Sequence, residues 1–273
     1  MQRNRSAVIF FFLLATVSAP VSLAQNPQGD KIALGSKTAK GGFNNETEVM
    51  AKFNNWRTDN EAKVWLAFMG YTFNEIESVL AAKPHGEKAD VQVNVKTKRA
   101  ETAEGISIKL VSSPNGFNQV DKRWLATYAK MWKMPPDVVE AMKLFLGEVK
   151  QNKPSRDRER MFIDEFDTAT QKKILDFFSV NKAAIVSDLF QGDGLYRANW
   201  MMVALKSEVK PRWVLRSSDY AIKFFGDGPV VITRNGNLKI GRITMQRKGG
   251  DGGRDTAKML QFKINPVLLF EEK

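Results

Sequence analysis

Asp90, Ser107 and Lys109 are the residues of this chain whose types and spacing could do chemistry together. The acid opens one alternating run, and a hydroxyl and an amine two residues apart share one face of the next. A magnesium-dependent attack on a phosphodiester needs oxygen ligands for a hard cation and a positive group that holds water and offsets developing charge. On this reading Asp90 ligates Mg2+, the Ser107 hydroxyl and the Ile108 carbonyl complete the protein side of the shell, and Lys109 holds the attacking water. Glu46, expected in the first turn of an earlier helix, could orient a water of that shell or support a second ion. Taken alone, an acid followed by a polar-x-Lys run is common in exposed hairpins, and the pattern needs support from elsewhere in the chain.

Composition narrows the alternatives. The chain holds no cysteine and a single histidine, His85. Disulfides, thiolate nucleophiles, cysteine-based zinc sites and two-histidine mechanisms are therefore excluded. His85 itself lies in Lys83-Pro84-His85-Gly86 and reads as a loop residue. A length of 273 residues with 43% hydrophobic and 26% charged residues fits a globular protein with a substantial core. The formal net charge of +12 points to a polyanionic partner, nucleic acid or an anionic surface.

The elements that must position these residues follow from periodicity. Residues 26–42, rich in Gly, Lys, Asn and Ser, read as a loop or arm. Residues 45–56 show helical spacing through Val49, Phe53 and Trp56, and 61–69 and 73–82 read as two further helices. From Asp90 the period changes to two, with Val91, Val93 and Val95 on one face. A turn through 99–105 leads to a second run in which Ile106, Ile108 and Leu110 face the core while Ser107 and Lys109 face away. A hairpin of these runs brings Asp90 beside Ser107 and Lys109. Helices are expected at 122–132, 137–147, 168–181 and 196–205. Residues 151–160 read as an exposed charged loop, and strands are expected at 212–216, 230–233, 238–246 and 259–264. Asn235-Gly236 is a hairpin turn between two of them. Trp56, Trp65, Trp124 and Trp132 read as packing residues. The expected fold is α+β, a single domain over 26–273 with a central mixed β-sheet flanked by helices.

The first 25 residues stand apart. Arg3 and Arg5 precede an apolar run from Ala7 to Leu23, which has the form of a secretory signal peptide. The run is short for a membrane anchor and holds Ser18, Pro20 and Ser22.

Two later segments carry a second signal. Asn118 and Gln119, in Gly116-Phe117-Asn118-Gln119, follow the candidate catalytic strand and are placed to enter a DNA groove. The run 242–254 ends a strand in glycines and cations, with Gln246, Arg247, Lys248 and Arg254 offering donors to phosphates or guanine edges. Its glycine spacing fits neither a dinucleotide fingerprint nor a P-loop.

These segments resemble the HinP-type restriction endonucleases, which cut DNA at the palindrome GCGC and belong to the PD-(D/E)XK nuclease superfamily. The resemblance rests on 34–40, Gly42-Phe43, 109–124, Arg160-Met161-Phe162 and 241–264, in the family's order. It implies a restriction-endonuclease-like core, Asp90 as metal ligand, Lys109 as catalytic lysine and Gln119 as a residue inserted at the recognition site. It also implies Mg2+ as cofactor, double-stranded DNA as substrate, a cognate DNA methyltransferase as functional partner, no membrane, and a monomer or weak homodimer. Ser107 departs from the pattern, standing where the family has Gln and the superfamily usually Glu. A cytoplasmic restriction enzyme has no use for a signal peptide. The resemblance therefore implies that the N-terminal run is a misassigned upstream extension with initiation near Val21 or Leu23, the alternative being secretion. Within the superfamily the other reading is a repair or junction-resolving nuclease. Outside it, a secreted non-enzymatic polyanion-binding protein would account for the charge and the signal-like run.

Overall fold

The alternating runs pair into two five-stranded sheets. The computed structural model describes residues 27–271 other than 114, 152, 208–209 and 251–253, with side chains from Lys40 onward. The signal-like run lies outside the described residues. Among the described residues, no helix is long and apolar enough to cross a membrane.

The first sheet has the order β1 (Ile76–Ala82), β2 (Val91–Thr97), β3 (Glu101–Val111), β5 (Trp200–Leu205), β6 (Arg212–Ser217). All its pairs are antiparallel except β3 with β5, so the sheet is mixed. Its central strand changes partner halfway: residues Glu101 to Ile106 pair with β2, and Ile106 to Val111 pair with β5. Val91, Val93, Val95, Ile106, Ile108 and Met202 form one core with α1 (Pro27–Asn54) and α2 (Asn60–Phe68), through Val49, Phe53, Trp65 and Leu66. Met201, Val203 and Leu205 leave β5 on the other face and join a larger core.

That larger core is shared with the second sheet, β4 (Asn118–Arg123), β10 (Leu260–Ile264), β9 (Ile243–Arg247), β8 (Leu238–Ile240), β7 (Val230–Ile232), which is antiparallel throughout. Helices α3 (Leu125–Met131), α4 (Pro136–Leu146), α5 (Thr168–Val180), α6 (Lys182–Phe190) and α7 (Ser218–Gly226) surround it. The expected α+β class with a mixed sheet flanked by helices is found, and a second sheet joins it.

Several expected elements differ. The region 26–42 is helical from Pro27, not a loop, and Glu46 consequently lies mid-helix. The segment is helical despite its glycines, and at Gly41, which lies against the first sheet, an added Cβ would sit 3.5 Å from the Leu110 side chain. Residues 76–82 form a strand, not a helix. A bulge at Glu77, between the pairs Ile76↔Thr97 and Ser78↔Lys96, spaces the buried Ile76 and Val79 three apart and imitates a helical period. The helix expected over 122–132 starts only at Leu125, because Asn118–Arg123 forms β4; Trp124 is exposed at its N-terminus rather than packed. The helix expected over 196–205 is β5, a strand buried on both faces whose unbroken apolar run hides its period. The hairpin turn is shorter than 99–105, since β3 begins at Glu101. Residues 238–246 form two strands split at Gly241, whose φ of 56° and close approach to the Asp227 carbonyl exclude other residues. The turn at Asn235-Gly236 joins β7 to β8 as expected.

Candidate active site

The change of partner along β3 creates the site. Where β2 ends, the side of β3 that it covered is open, and Asp90, just before β2, fills the gap. The Asp90 N–H donates to the Ile106 carbonyl at 2.9 Å, and the Ile108 N–H donates to Asp90 Oδ2 at 2.6 Å. The Ser107 hydroxyl donates to the same oxygen at 3.3 Å, and Lys109 Nζ lies 3.9 Å from it. A strand residue sends its N–H and C=O to the same side, so the Ile108 carbonyl also leaves β3 toward Asp90.

Ser107 and Lys109 do leave the face opposite Ile106 and Ile108, but they are not solvated. Ser107 is buried and the Lys109 side chain is only 13% exposed. They open into a cleft of about 370 Å3 between the sheets, whose far wall is β4 with Gln119, Asp121 and Lys122. Gln119 thus shares one cavity with Asp90, Ser107 and Lys109. Its Oε1 accepts from Gln261 Nε2 at 2.8 Å, and Gln261 faces Gln246 across β10 and β9. Asn118 Nδ2 donates to the Leu110 carbonyl at 2.9 Å, tying the start of β4 to the end of β3.

The other expected site residues lie elsewhere. Glu46 pairs with Lys83 at 2.8 Å, and α1 packs on the face of the first sheet that Ser107 and Lys109 leave behind. Arg247 and Arg254 line a second hollow of about 590 Å3 with Gly249 and Gly250. Arg247 pairs there with Glu159 at 3.1 Å. Lys248 extends the strand, its N–H donating to the Met259 carbonyl at 2.9 Å.

Periodicity did not point to Lys88 and Asp121, which stand in the same cleft. Lys88 Nζ lies 2.9 Å from Asp121 Oδ2, and Asp121 also receives Arg123 Nη2 at 3.0 Å and the Tyr128 hydroxyl. Arg123 continues to Asp188 at 2.9 Å. Burial pushes the Lys88 ammonium below its usual range, against the pull of Asp121. Burial and the Asp121 carboxylate both push the Tyr128 phenol up. Burial opposes the charge on Arg123, but Asp121 and Asp188 outweigh it and raise its pKa. Nothing in the sequence signals this network, whose charges alternate only in space.

The donor set can be tested against a cation. Among the described residues, no group of three or more His, Cys, Asp or Glu could hold a metal. The site instead offers one carboxylate, one hydroxyl and one backbone carbonyl, all hard oxygen donors. That suits Mg2+, which keeps several waters and takes one or two carboxylates, and does not suit Zn2+. A carboxylate, a lysine and an open strand edge in a cleft, on a mixed sheet, are the parts that metal-assisted hydrolysis of a phosphodiester requires.

The R.HinP1I restriction endonuclease family matches residues 69–270, and the chain belongs to that family. It is accordingly a type II restriction endonuclease, a site-specific deoxyribonuclease. The motifs at 109–124, 160–162 and 241–264 lie within the matched residues, while 34–43 lie before them. Among solved structures, restriction endonuclease MspI in complex with its cognate DNA has a TM-score of 0.60 to this chain at 10% identity. The likeness covers 85% of this chain and 92% of that one, and it shows the fold. No curated protein matches the chain.

Proposed function

We propose that the enzyme cleaves double-stranded DNA with Mg2+ at a GCGC-type four-base palindrome, in the cytoplasm and alongside a cognate methyltransferase. The observation that carries this reading is the single cavity joining Asp90, Ser107 and Lys109 to Gln119. Asp90 and the Ile108 carbonyl would hold the ion, with the Ser107 hydroxyl beside them. When bound, Mg2+ supplies Lewis acidity toward the scissile phosphate. The protein groups do the rest. Ser107 and the Ile108 N–H fix one oxygen of Asp90, so the carboxylate presents a constant direction. The Lys109 ammonium, set back beside Asp90, orients water and offsets negative charge growing on the phosphate. Ser107 takes on an orienting role, which a hydroxyl can fill where relatives carry a longer side chain. Gln119 on the opposite wall reaches the DNA within the same cavity.

Digestion of a plasmid of known sequence, with Mg2+ and with EDTA, tests the reading. Discrete fragments ending at GCGC sites are expected with Mg2+ alone. Random nicking or cutting at branched structures would instead indicate a repair or junction nuclease.

A further inference from the structure

Lys88 stands two residues before Asp90, yet its side chain belongs to the opposite wall of the cleft. Its stem lies along Gly192, where an added Cβ would come within 3.1 Å of Lys88 Cβ. Its side chain is 12% exposed, and its ammonium meets the Val120 carbonyl at 3.3 Å and Asp121 Oδ2 at 2.9 Å. Val120 is the extra residue of a bulge in β4: Gln119 faces Lys263 and Asp121 faces Phe262, with Val120 between them. Bulges re-aim neighbouring side chains, and across this one Gln119 and Asp121 both line the cleft, with Asp121 also reaching Tyr128. One ammonium therefore spans from the residue beside the catalytic acid to the kink that aims the DNA-contacting glutamine.

We propose that Lys88 is a positioning residue that couples recognition to cleavage, holding Asp90 and Gln119 at a fixed spacing through the Val120 bulge. The inference rests on the reading above, in which Gln119 meets the DNA and Asp90 serves hydrolysis. Asp121 anchors the far end, and the alternating charges of Arg123 and Asp188 carry the support to α6. A shift of about 1 Å in this spacing is enough to cost about 100-fold in rate.

Lys88 also lines the cleft, so a direct contact to a DNA phosphate is the competing role. The two roles give Asp121→Asn opposite signs. As a phosphate contact, Lys88 would be released by the substitution, and DNA binding would tighten with cleavage retained. As a spacer, Lys88 would lose its anchor, and cleavage would fall.

The test uses the full chain, Mg2+ for single-turnover cleavage and Ca2+ for binding. Substrates are duplexes carrying the site found by plasmid digestion or single-base-pair variants of it. Lys88→Met and Asp121→Asn are expected to lower the cognate cleavage rate about 100-fold. Cutting of variant sites should fall far less, so the ratio of cognate to variant cutting collapses while duplex affinity changes little. The double variant should be no worse than either single one. Lys88→Arg, which can still reach both acceptors, should restore most of the ratio. Thermal melting identifies a variant that fails to fold, and Lys88→Gln, which keeps one donor, then carries the same expectation at about 10-fold. Wild-type rates and ratios in both single variants would overturn the proposal. So would tighter binding and undiminished cleavage in Asp121→Asn. Absence of discrete cutting by the wild type is a separate result that overturns the functional reading beneath it.

Discussion

The two sheets use their faces in opposite ways. The first is covered on both sides at β5, which is buried at every position from Met201 to Leu205, with Met202 in one core and Met201, Val203 and Leu205 in the other. Its proposed chemistry sits where a partner strand ends, at Asp90 and the second half of β3. The second sheet places its apolar residues on one face, through Met245, Leu260, Phe262 and Ile264. By register its other face carries Gln119, Lys122, Thr244, Gln246, Gln261 and Lys263, with no acid among them. A sheet packed on both sides can hold reacting groups to within fractions of an ångström, because nothing around them can relax. A half-covered sheet can present a row of amides and cations to a groove. On the proposed reading, the molecule separates cutting from reading and lets the two meet in one cleft.

That separation can be broken from each side. The largest effect belongs to the cutting side: Asp90→Ala or Lys109→Ala should lower the single-turnover cleavage rate by about 1000-fold or more while duplex binding persists. Wild-type cleavage in either variant would remove the first sheet from the chemistry. On the reading side, Gln119→Ala should leave cutting intact but cost about 10-fold to 100-fold in preference for the cognate duplex over single-base variants. Competition cleavage of mixed duplexes measures it, and an equal loss on every duplex would mean that Gln119 serves catalysis. The smallest effect is expected at Arg254, exposed beside the second hollow. Arg254→Ala should weaken binding to all duplexes alike and reduce the slope of log affinity against log salt by about 1. A sequence-dependent loss there would extend the reading surface beyond the strands.

The hairpin at Asp90 was legible because it depends on local alternation, with Val91, Val93 and Val95 marking the face. The second sheet was legible at its C-terminal strands and at the Asn235-Gly236 turn, where turn chemistry is local. The failures share a physical cause. Bulges at Glu77 and near Val120 break the period of two, one into a helical spacing and the other into an unpatterned polar stretch. Burial on both faces removed the period of β5 altogether. Lys88 and Asp121 read as ordinary surface charges, because only the fold puts them in contact across two sheets. The same holds for Glu46, whose helix covers the wrong face of β3 to reach the cleft. Helix α6 carries its apolar residues into a core assembled from distant strands, whereas α7 has local signals that the periodicity reading missed, the Ser217 cap and the buried Ala221 and Phe225 four residues apart.

The change of partner along β3 also dictates when the site can exist. Ser107, Ile108 and Lys109 lie in the half of β3 that β2 does not cover, and their strand partners are Met201, Met202 and Val203. Between these two segments the chain runs through β4 and helices α3 to α6. Pairings so far apart in sequence close late, after the entropy of the intervening loop has been overcome. The half of β3 that carries Ser107 and Lys109 is therefore completed on its other edge by the strand that follows α6.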